Sequence, residues 1–311
     1  IKSLQENEFC RKIPDMKYVG FENYERFFKK TPKDLNKIKK YWQKVFDPGD
    51  NKIGVPVLDQ GIGLISTLTD GKKTKWPRLS IETKIILNTL KWLIFFPLAI
   101  PIGLGLALFL NQIGWFVKLS KSLIFFPFVI SSAVIGFVFQ FFYDPNGGLL
   151  SPAYEILGWN DGIIGDKDKA TYGIVVAAWY RQIGYCLIIY LAGLTAVNQE
   201  QIEAARMDGA SGWKLFRYIV LPQLWPATFV AFVVTIIGAL RTDSFDMTQI
   251  MTEGGPGRGA SDVMSRYMFQ KTLFDQDYGY GSAISVLLFM FMLIFIITFI
   301  IRMYYQDENL R

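Results

Sequence analysis

The sequence predicts an all-α fold, a polytopic transmembrane helical bundle. Three observations carry that expectation. Hydrophobic residues make up 51% of the 311-residue chain, they gather in blocks too long for one face of a soluble helix, and the first and last blocks hold no charge. A helix needs roughly 20 mostly apolar residues to cross the hydrocarbon layer. In lipid only helices and closed barrels satisfy every backbone polar group, and runs of this length point to helices. Five blocks stand out, at residues 92–110, 122–143, 170–196 (interrupted), 224–240 and 282–301.

Ahead of the first block, residues 1–84 form a polar segment with no span. It holds 18 of the 33 Lys and Arg residues against 11 of the 27 Asp and Glu. The net charge of +6 therefore belongs to this segment and not to the membrane part, residues 85–304. Within it Thr31, Pro32 and Asp34 read as a helix start: Thr as N-cap, Pro at the first helical position, an acid in the first turn. Leu35, Ile38, Trp42, Val45 and Phe46 then share one face, with Lys37, Lys39, Lys40 and Lys44 mainly around the others. Pro48, Gly49 and Asp50 end the helix. Two roles fit it: a solvated helix packed on its own subdomain, or one resting on lipid headgroups or a partner protein. The chain starts at Ile1 with no signal peptide, and a further spanning helix is expected ahead of it.

Histidine is absent, which removes the commonest general base and metal ligand. Cys10 lies in a polar stretch and Cys186 in an apolar one, so no disulfide framework underlies the fold. Pro97, Pro101 and Pro127 fall inside spans, where proline kinks a helix and neighbours re-satisfy the freed backbone groups.

Between the third and fourth blocks, residues 198–222 read as two short helices joined by a sharp turn. Asn198 can cap the first, with Gln201 at the reciprocal position of a capping box. Gly209 suits the left-handed position that closes it. Ser211 can cap the second, which ends near Pro222 as the chain re-enters the membrane. Ala204 and Ala205 would let another backbone approach closely, and Glu203 offers a charge to a basic partner.

This stretch resembles the EAA loop of ABC-importer permeases. Every fixed position of that motif is filled, by Glu203, Ala204, Ala205, Gly209, Ile219, Leu221 and Pro222, with Asp208 beside the glycine. The resemblance implies that the loop docks into a cleft of an ATP-hydrolysing subunit, with Glu203 meeting a basic residue there. Further phrases resemble the carbohydrate-uptake permeases of the maltose and glycerol-phosphate type. They are Tyr18-Val19-Gly20-Phe21-Glu22-Asn23-Tyr24, Asn88-Thr89-Leu90, Phe126-Pro127 with Ser131 and Gly136, Thr252-Glu253-Gly254-Gly255-Pro256, and Tyr278-Gly279-Tyr280-Gly281-Ser282-Ala283. Residues 27–87 separate the first two phrases, more than in most such relatives. By analogy with the maltose system, residues 29–80 form an inserted subdomain that is a candidate docking surface for a binding protein.

Taken as a type I importer permease, the chain is expected to be one of two similar but non-identical membrane subunits. Two cytoplasmic ATP-binding subunits and an extracytoplasmic substrate-binding protein complete the implied assembly. ATP and Mg²⁺ would sit on the ATPase subunits, and no cofactor on this chain. The implied cargo is a sugar, an oligosaccharide or a related glycoside or polyol, and the implied site is a bacterial inner membrane. With residues 198–222 cytoplasmic, the 111–121 loop with Lys118 and Lys121 and the tail 305–311 are cytoplasmic too. The acid-rich 144–170 and 242–281 loops then face outside, as the positive-inside tendency requires. Residues 1–84 would also lie outside; their basic excess runs against that tendency, but long segments translocate largely regardless of charge.

Charged groups within a span are costly and mark a pathway or a buried pair. Arg181 and Gln182 interrupt the third block, and Arg241, Asp243, Ser244 and Asp246 follow the fourth. By resemblance, substrate contacts fall on Arg181, Gln182 and Tyr185 and, less directly, on Arg241 and Ser244. The alternative is that Arg181 or Arg241 pairs with Asp243 or Asp246 to hold helices together. No phosphate-binding loop is present, since Gly71-Lys72-Lys73-Thr74 lacks the first glycine and Gly254-Gly255-Pro256-Gly257-Arg258 follows no strand. No metal-ligand spacing or nucleic-acid pattern appears either. An importer for phosphate, amino acids or polyamines, a channel and a membrane-embedded enzyme are the remaining alternatives.

Overall fold

The computed structural model describes residues 21–29, 31–45, 80–111, 115–257 and 259–308. Helices dominate, and no strand occurs among the described residues. Two helices precede the bundle: α1 (Glu22–Phe28) and α2 (Thr31–Val45). The first span, α3 (Ile81–Phe109), begins well before the apolar block at 92 and relaxes into a 3₁₀ turn at Phe96–Leu98 around Pro97. Its extra length carries Glu82, Lys84 and Lys91, which hid the start from a hydropathy reading. The composition boundary at 84/85 thus falls inside its first turns.

The second block is not one straight helix. It forms α4 (Trp115–Val129) and α5 (Ser132–Phe142), bent by 101° at Ile130–Ser131. Pro127 lies inside α4, three residues before the break. A short α6 (Ser151–Leu157) follows, then α7 (Ala170–Thr195), which is the central helix and packs on α3, α4, α5 and the fourth span. After the connecting segment with α8 (Gln199–Met207) and α9 (Gly212–Leu215), the fourth span runs from Trp225 to Met251. It breaks at Arg241 into α10 (Trp225–Leu240) and α11 (Thr242–Met251), so it extends eleven residues past the apolar block. A short α12 (Met264–Phe269) leads to the last helix, α13 (Tyr278–Glu308), whose spanning part is Tyr278–Ile301.

Three apolar clusters hold the bundle. One surrounds Trp92, Ile174, Ile236 and Met247. A second joins Leu110, Leu187, Leu194 and Leu224 near the α8–α9 segment. The third, around Phe27, Ile85, Tyr267, Tyr280 and Ile284, seats α1 against the start of α13. Arg26 reinforces that seat with an ion pair to Asp277 at 2.8 Å while lying 4.6 Å from the centre of the Tyr280 ring. The Phe-Glu-Asn-Tyr and Tyr-Gly-Tyr-Gly phrases, far apart in sequence, are therefore one packing unit.

The Asn88 and Thr89 pair does similar work at the same end of the bundle. The Asn88 amide donates to the carbonyls of Gly259, Ala260 and Asp262 at 3.3, 2.9 and 3.1 Å. The Thr89 hydroxyl accepts the Met264 N–H at 3.1 Å. Arg266 closes the other side of this loop, pairing with Asp262 at 3.0 Å and donating to the Glu253 carbonyl.

Helix α2 differs from its expected orientation. Leu35, placed on the apolar face, is 54% exposed, whereas Asp34 is only 2% exposed. The reason is a latch: Asp34 accepts from the Ser80 N–H at 2.8 Å and the Thr83 hydroxyl at 3.0 Å, while Lys37 pairs with its other oxygen at 2.8 Å. The carboxylate thereby joins α2 to the start of α3, where Ser80 is the N-cap. The side chains of Trp42 and Val45, with Phe46, the Pro48-Gly49-Asp50 stop and most of the 29–80 segment, lie outside the described residues.

Burial alone would raise the Asp34 pKa, but Lys37, the Ser80 N–H and the Ser80 and Thr83 hydroxyls outweigh it, so the carboxyl titrates well below its usual range. A depressed folded-state value means the latch is complete above about pH 4 and is lost as the pH falls from there through the folded value. Hydrogen bonds to a charged group contribute roughly 1.5–3 kcal/mol each. Asp34→Ala is thus expected to speed amide exchange over residues 31–40 by about tenfold or more, since 1.4 kcal/mol is a factor of ten. Unchanged exchange would show that α2 is held by other means.

Candidate functional site

The α8–α9 segment lies at the bundle end opposite Asn88. Asn198 caps α8, its side-chain carbonyl accepting from the N–H groups of Glu200 at 2.8 Å and Gln201 at 3.4 Å. The helix closes at Gly209, φ +84°, with two bonds that define a Schellman motif: Gly209 N–H to Arg206 O at 3.0 Å and Ala210 N–H to Ala205 O at 2.9 Å. Ser211 occupies the N-cap position of α9, but its hydroxyl makes no capping bond.

The second helical run ends at Gln223, one residue past Pro222, as expected. A π turn over Phe216–Val220 precedes the proline, and a short helical turn Leu221–Gln223 carries the chain on to α10. Proline lacks an N–H and crowds the carbonyl four residues back, and the wider turn absorbs both defects.

The expected capping box is also rearranged. Gln201 does not reach back to Asn198. Instead the Gln223 side chain accepts the Asn198 N–H at 2.8 Å and donates to the Gln201 side-chain oxygen at 3.0 Å and the Ile219 carbonyl at 3.2 Å. One amide thus ties the start of α8 to the base of the re-entering helix.

The motif residues divide by exposure. Glu203, Ala204, Asp208 and Gly209 face solvent, whereas Ala205, Ile219, Leu221 and Pro222 are half-buried. The same segment carries three large side chains without cover, Met207 at 88%, Trp213 at 72% and Tyr218 at 73% exposure. Exposed apolar side chains on a segment that also carries carboxylates are groups a protein partner can bury.

The residues singled out inside the spans fall into separate surroundings. Arg181 pairs with Asp243 at 2.5 Å and lies 5.1 Å from the centre of the Phe128 ring. Tyr185 stands against the same ring at 5.0 Å. Gln182 is buried and donates to the Thr235 hydroxyl at 2.7 Å, joining α7 to α10. Ser244 is buried facing Ser265. Arg241 is exposed at the α10–α11 break, and Asp246 accepts from Ser132 at the start of α5. Both breaks, at Ile130–Ser131 and at Arg241, therefore sit beside the polar cluster.

The family of binding-protein-dependent transport system inner membrane components matches residues 99–310, well over half of the chain. The chain belongs to that family. It is 34% identical over 225 residues to a probable ABC transporter permease protein of Pyrococcus horikoshii, which covers 71% of this chain and 76% of the relative. It is also 34% identical over 200 residues to the trehalose/maltose transport system permease protein MalF of Thermococcus litoralis, covering 64% and 66% of the two chains. In fold it resembles a bacterial ABC transporter involved in the import of the acidic polysaccharide alginate. That crystal structure matches with a TM-score of 0.61 at 18% identity, over 91% of this chain and 99% of the other.

This permease is accordingly a membrane transport subunit rather than an enzyme. The sequence reading placed the two short helices and their turn but missed Gln223, which lies just past the motif and pairs with residues over 20 positions away. It also missed Met207, Trp213 and Tyr218. Their signal was present: large apolar side chains in a polar stretch with no periodicity that would bury them.

Proposed function

We propose that the permease is one of two non-identical membrane subunits of an ATP-driven importer for a sugar, oligosaccharide or related glycoside or polyol. The observation that carries this reading is the α8–α9 surface. Glu203, Ala204 and Asp208 stand exposed, as do Met207, Trp213 and Tyr218, on a segment braced to the bundle by Gln223. A surface so mounted passes a partner's movement directly into α7 and α10, the helices that carry the Arg181–Asp243 pair.

In this reading two cytoplasmic subunits bind ATP and Mg²⁺ and close on that surface, while a binding protein delivers solute at the Asn88 end. Residues 1–80 and the 143–169 and 252–277 loops face outside, the last beginning at 252 rather than 242 because α11 belongs to the fourth span; residues 198–222 and the C-terminus face the cytoplasm. Support for the cargo comes from the kinship with a trehalose/maltose system and from the aromatic and polar groups at the helix breaks, Phe128, Tyr185 and Arg181. Aromatic faces suit sugar rings, and polar groups suit hydroxyls.

Purification in mild detergent is expected to recover the chain with a second permease and ATPase subunits. Proteoliposomes of that complex should take up maltose or trehalose only with internal ATP and external binding protein. Recovery without any ATPase, or uptake indifferent to ATP, would overturn the importer reading; ATP-driven uptake of another solute class alone would overturn the cargo.

A further inference from the structure

A groove of about 390 Å³ runs between α4 and α7, lined by Lys121, Ser122, Phe125, Ile188, Ala192 and Thr195 among others. It lies on the docking-loop side of the Arg181 cluster, ending three residues before Asn198 caps α8. Nothing in the established transport role assigns it.

Its alignment with the polar cluster is set by helical geometry. On α7, Arg181, Tyr185, Ile188, Ala192 and Thr195 recur at spacings of four, three, four and three, which puts them on one face. On α4, Phe128, Phe125 and Lys121 follow the same rule. Contacts bridge the two rows: Phe125 and Phe128 rings are 5.7 Å apart, Phe128 and Tyr185 5.0 Å, and Arg181 caps Phe128 at 5.1 Å. Gly184 fixes the spacing between the helices, since a Cβ there would lie 2.5 Å from the Ile124 carbonyl oxygen.

The chemistry changes along this track. At its upper end the Arg181 charge is matched by Asp243. Aromatic and aliphatic side chains occupy the middle. At the lower end Lys121 is half-buried, and no ion pair engages it among the described residues. The Ser122 and Thr195 hydroxyls there donate to the carbonyls of Lys118 and Ala192 at 3.1 and 2.7 Å, so each keeps its lone pairs available. From Arg181 to Thr195 the track rises roughly 21 Å along α7, at 1.5 Å per residue. That is most of a hydrocarbon core of roughly 30 Å.

We infer that this groove is a second glycoside-binding subsite on the inner half of the substrate route, with Phe125 as its ring platform and Lys121 as its exit contact. The inference rests on the proposed importer function. It goes further by giving the solute a stopping place below the Arg181 cluster, next to the segment that the ATPase moves.

Accessibility tests it. In the whole reconstituted complex, with Cys10 replaced by Ser and buried Cys186 retained, Ala192→Cys is compared with Leu123→Cys on the exposed opposite side of α4. A membrane-impermeant anionic methanethiosulfonate reaches thiols only through water. Without nucleotide, Ala192→Cys is expected to react at least tenfold faster than Leu123→Cys, and maltose with its binding protein and ATP should slow that reaction severalfold. Lys121→Ala should lower the maximal uptake rate severalfold. Equal labelling of the two cysteines would mean that lipid or the second subunit fills the groove, and would overturn the subsite. Labelling unaffected by maltose, in vesicles that do transport it, would overturn it as well. Failure of the unmodified vesicles to take up any glycoside would remove the cargo assignment itself, and the glycoside subsite with it.

Discussion

Asp243→Ala is expected to destabilise the bundle by about 3–5 kcal/mol, because it strips a partly buried guanidinium of its counter-ion. Arg181 is 23% and Asp243 7% exposed in their side chains, and they meet at 2.5 Å. Nothing else near the guanidinium carries a full negative charge within ion-pair distance among the described residues, and its Nε has no partner. The Phe128 face supplies only a weak cation–π contact, about 0.5–2 kcal/mol. The double variant Arg181→Met with Asp243→Leu should recover most of the loss, since a buried pair can be replaced by apolar side chains at little cost to stability. Thermal unfolding in detergent measures both. The same double variant separates the two roles of Arg181. Undiminished substrate affinity would leave it a structural pair, whereas a stable protein with impaired affinity would make Arg181 a contact residue.

Gly209→Val should leave folding and membrane insertion intact while cutting ATP-driven uptake strongly. Among the described residues nothing lies within 4 Å of a Cβ built at Gly209, so steric crowding is not the cause. The effect comes from the backbone alone. The left-handed conformation costs an L-residue roughly 1–2 kcal/mol, more for a β-branched one. A loss of that size shifts the ratio of closed to open turn by a factor of roughly 5–30. Opening it breaks the Gly209–Arg206 and Ala210–Ala205 bonds and so changes the angle between α8 and α9. Asn tolerates this region, so Gly209→Asn should retain most activity. Comparison of uptake with ATP turnover in the same vesicles checks the claim; equal loss in the Val and Asn variants would assign the effect to something other than φ.

The parts of the fold legible in the sequence were those governed by transfer of side chains to lipid. The blocks at 170–196 and 282–301 reappear as α7 and α13 nearly unchanged, because hydropathy alone dictates them. The Schellman closure at Gly209 and the Asn198 cap were legible too, since each depends on a few adjacent residues. What failed was non-local. Ile81 to Lys91 join a span despite their charges because Asn88 and Thr89 find partners 170 or more residues away. Asp34 turns inward for Ser80, and Gln223 takes the bond that a local capping box would have given to Gln201. The elbow falls at Ile130–Ser131, past Pro127, so the proline's position alone did not mark it.

For the candidate site, the motif positions were readable as a set, but not their division into an outward group at Glu203 and an anchoring group at Leu221. That division depends on which side of each short helix meets the bundle. The residues inside the spans were readable as substrate contacts or as an ion pair between Arg181 or Arg241 and Asp243 or Asp246, without the choice among them. Their pairing, Arg181 with Asp243 and Gln182 with Thr235, depends on how three helices cross.

The Asn88 amide has two hydrogens and serves three carbonyls, while its oxygen accepts from Thr171 on α7 at 3.3 Å. One side chain therefore meters the slack in the loop between the last two spans and fastens it to two different helices. For the loop to move alone, all of these bonds must break. An opening at that end that keeps them carries the heads of α3 and α7 and the loop together as a single leaf, hinged further down, at the elbow of α4 and α5 and at the Arg241 break.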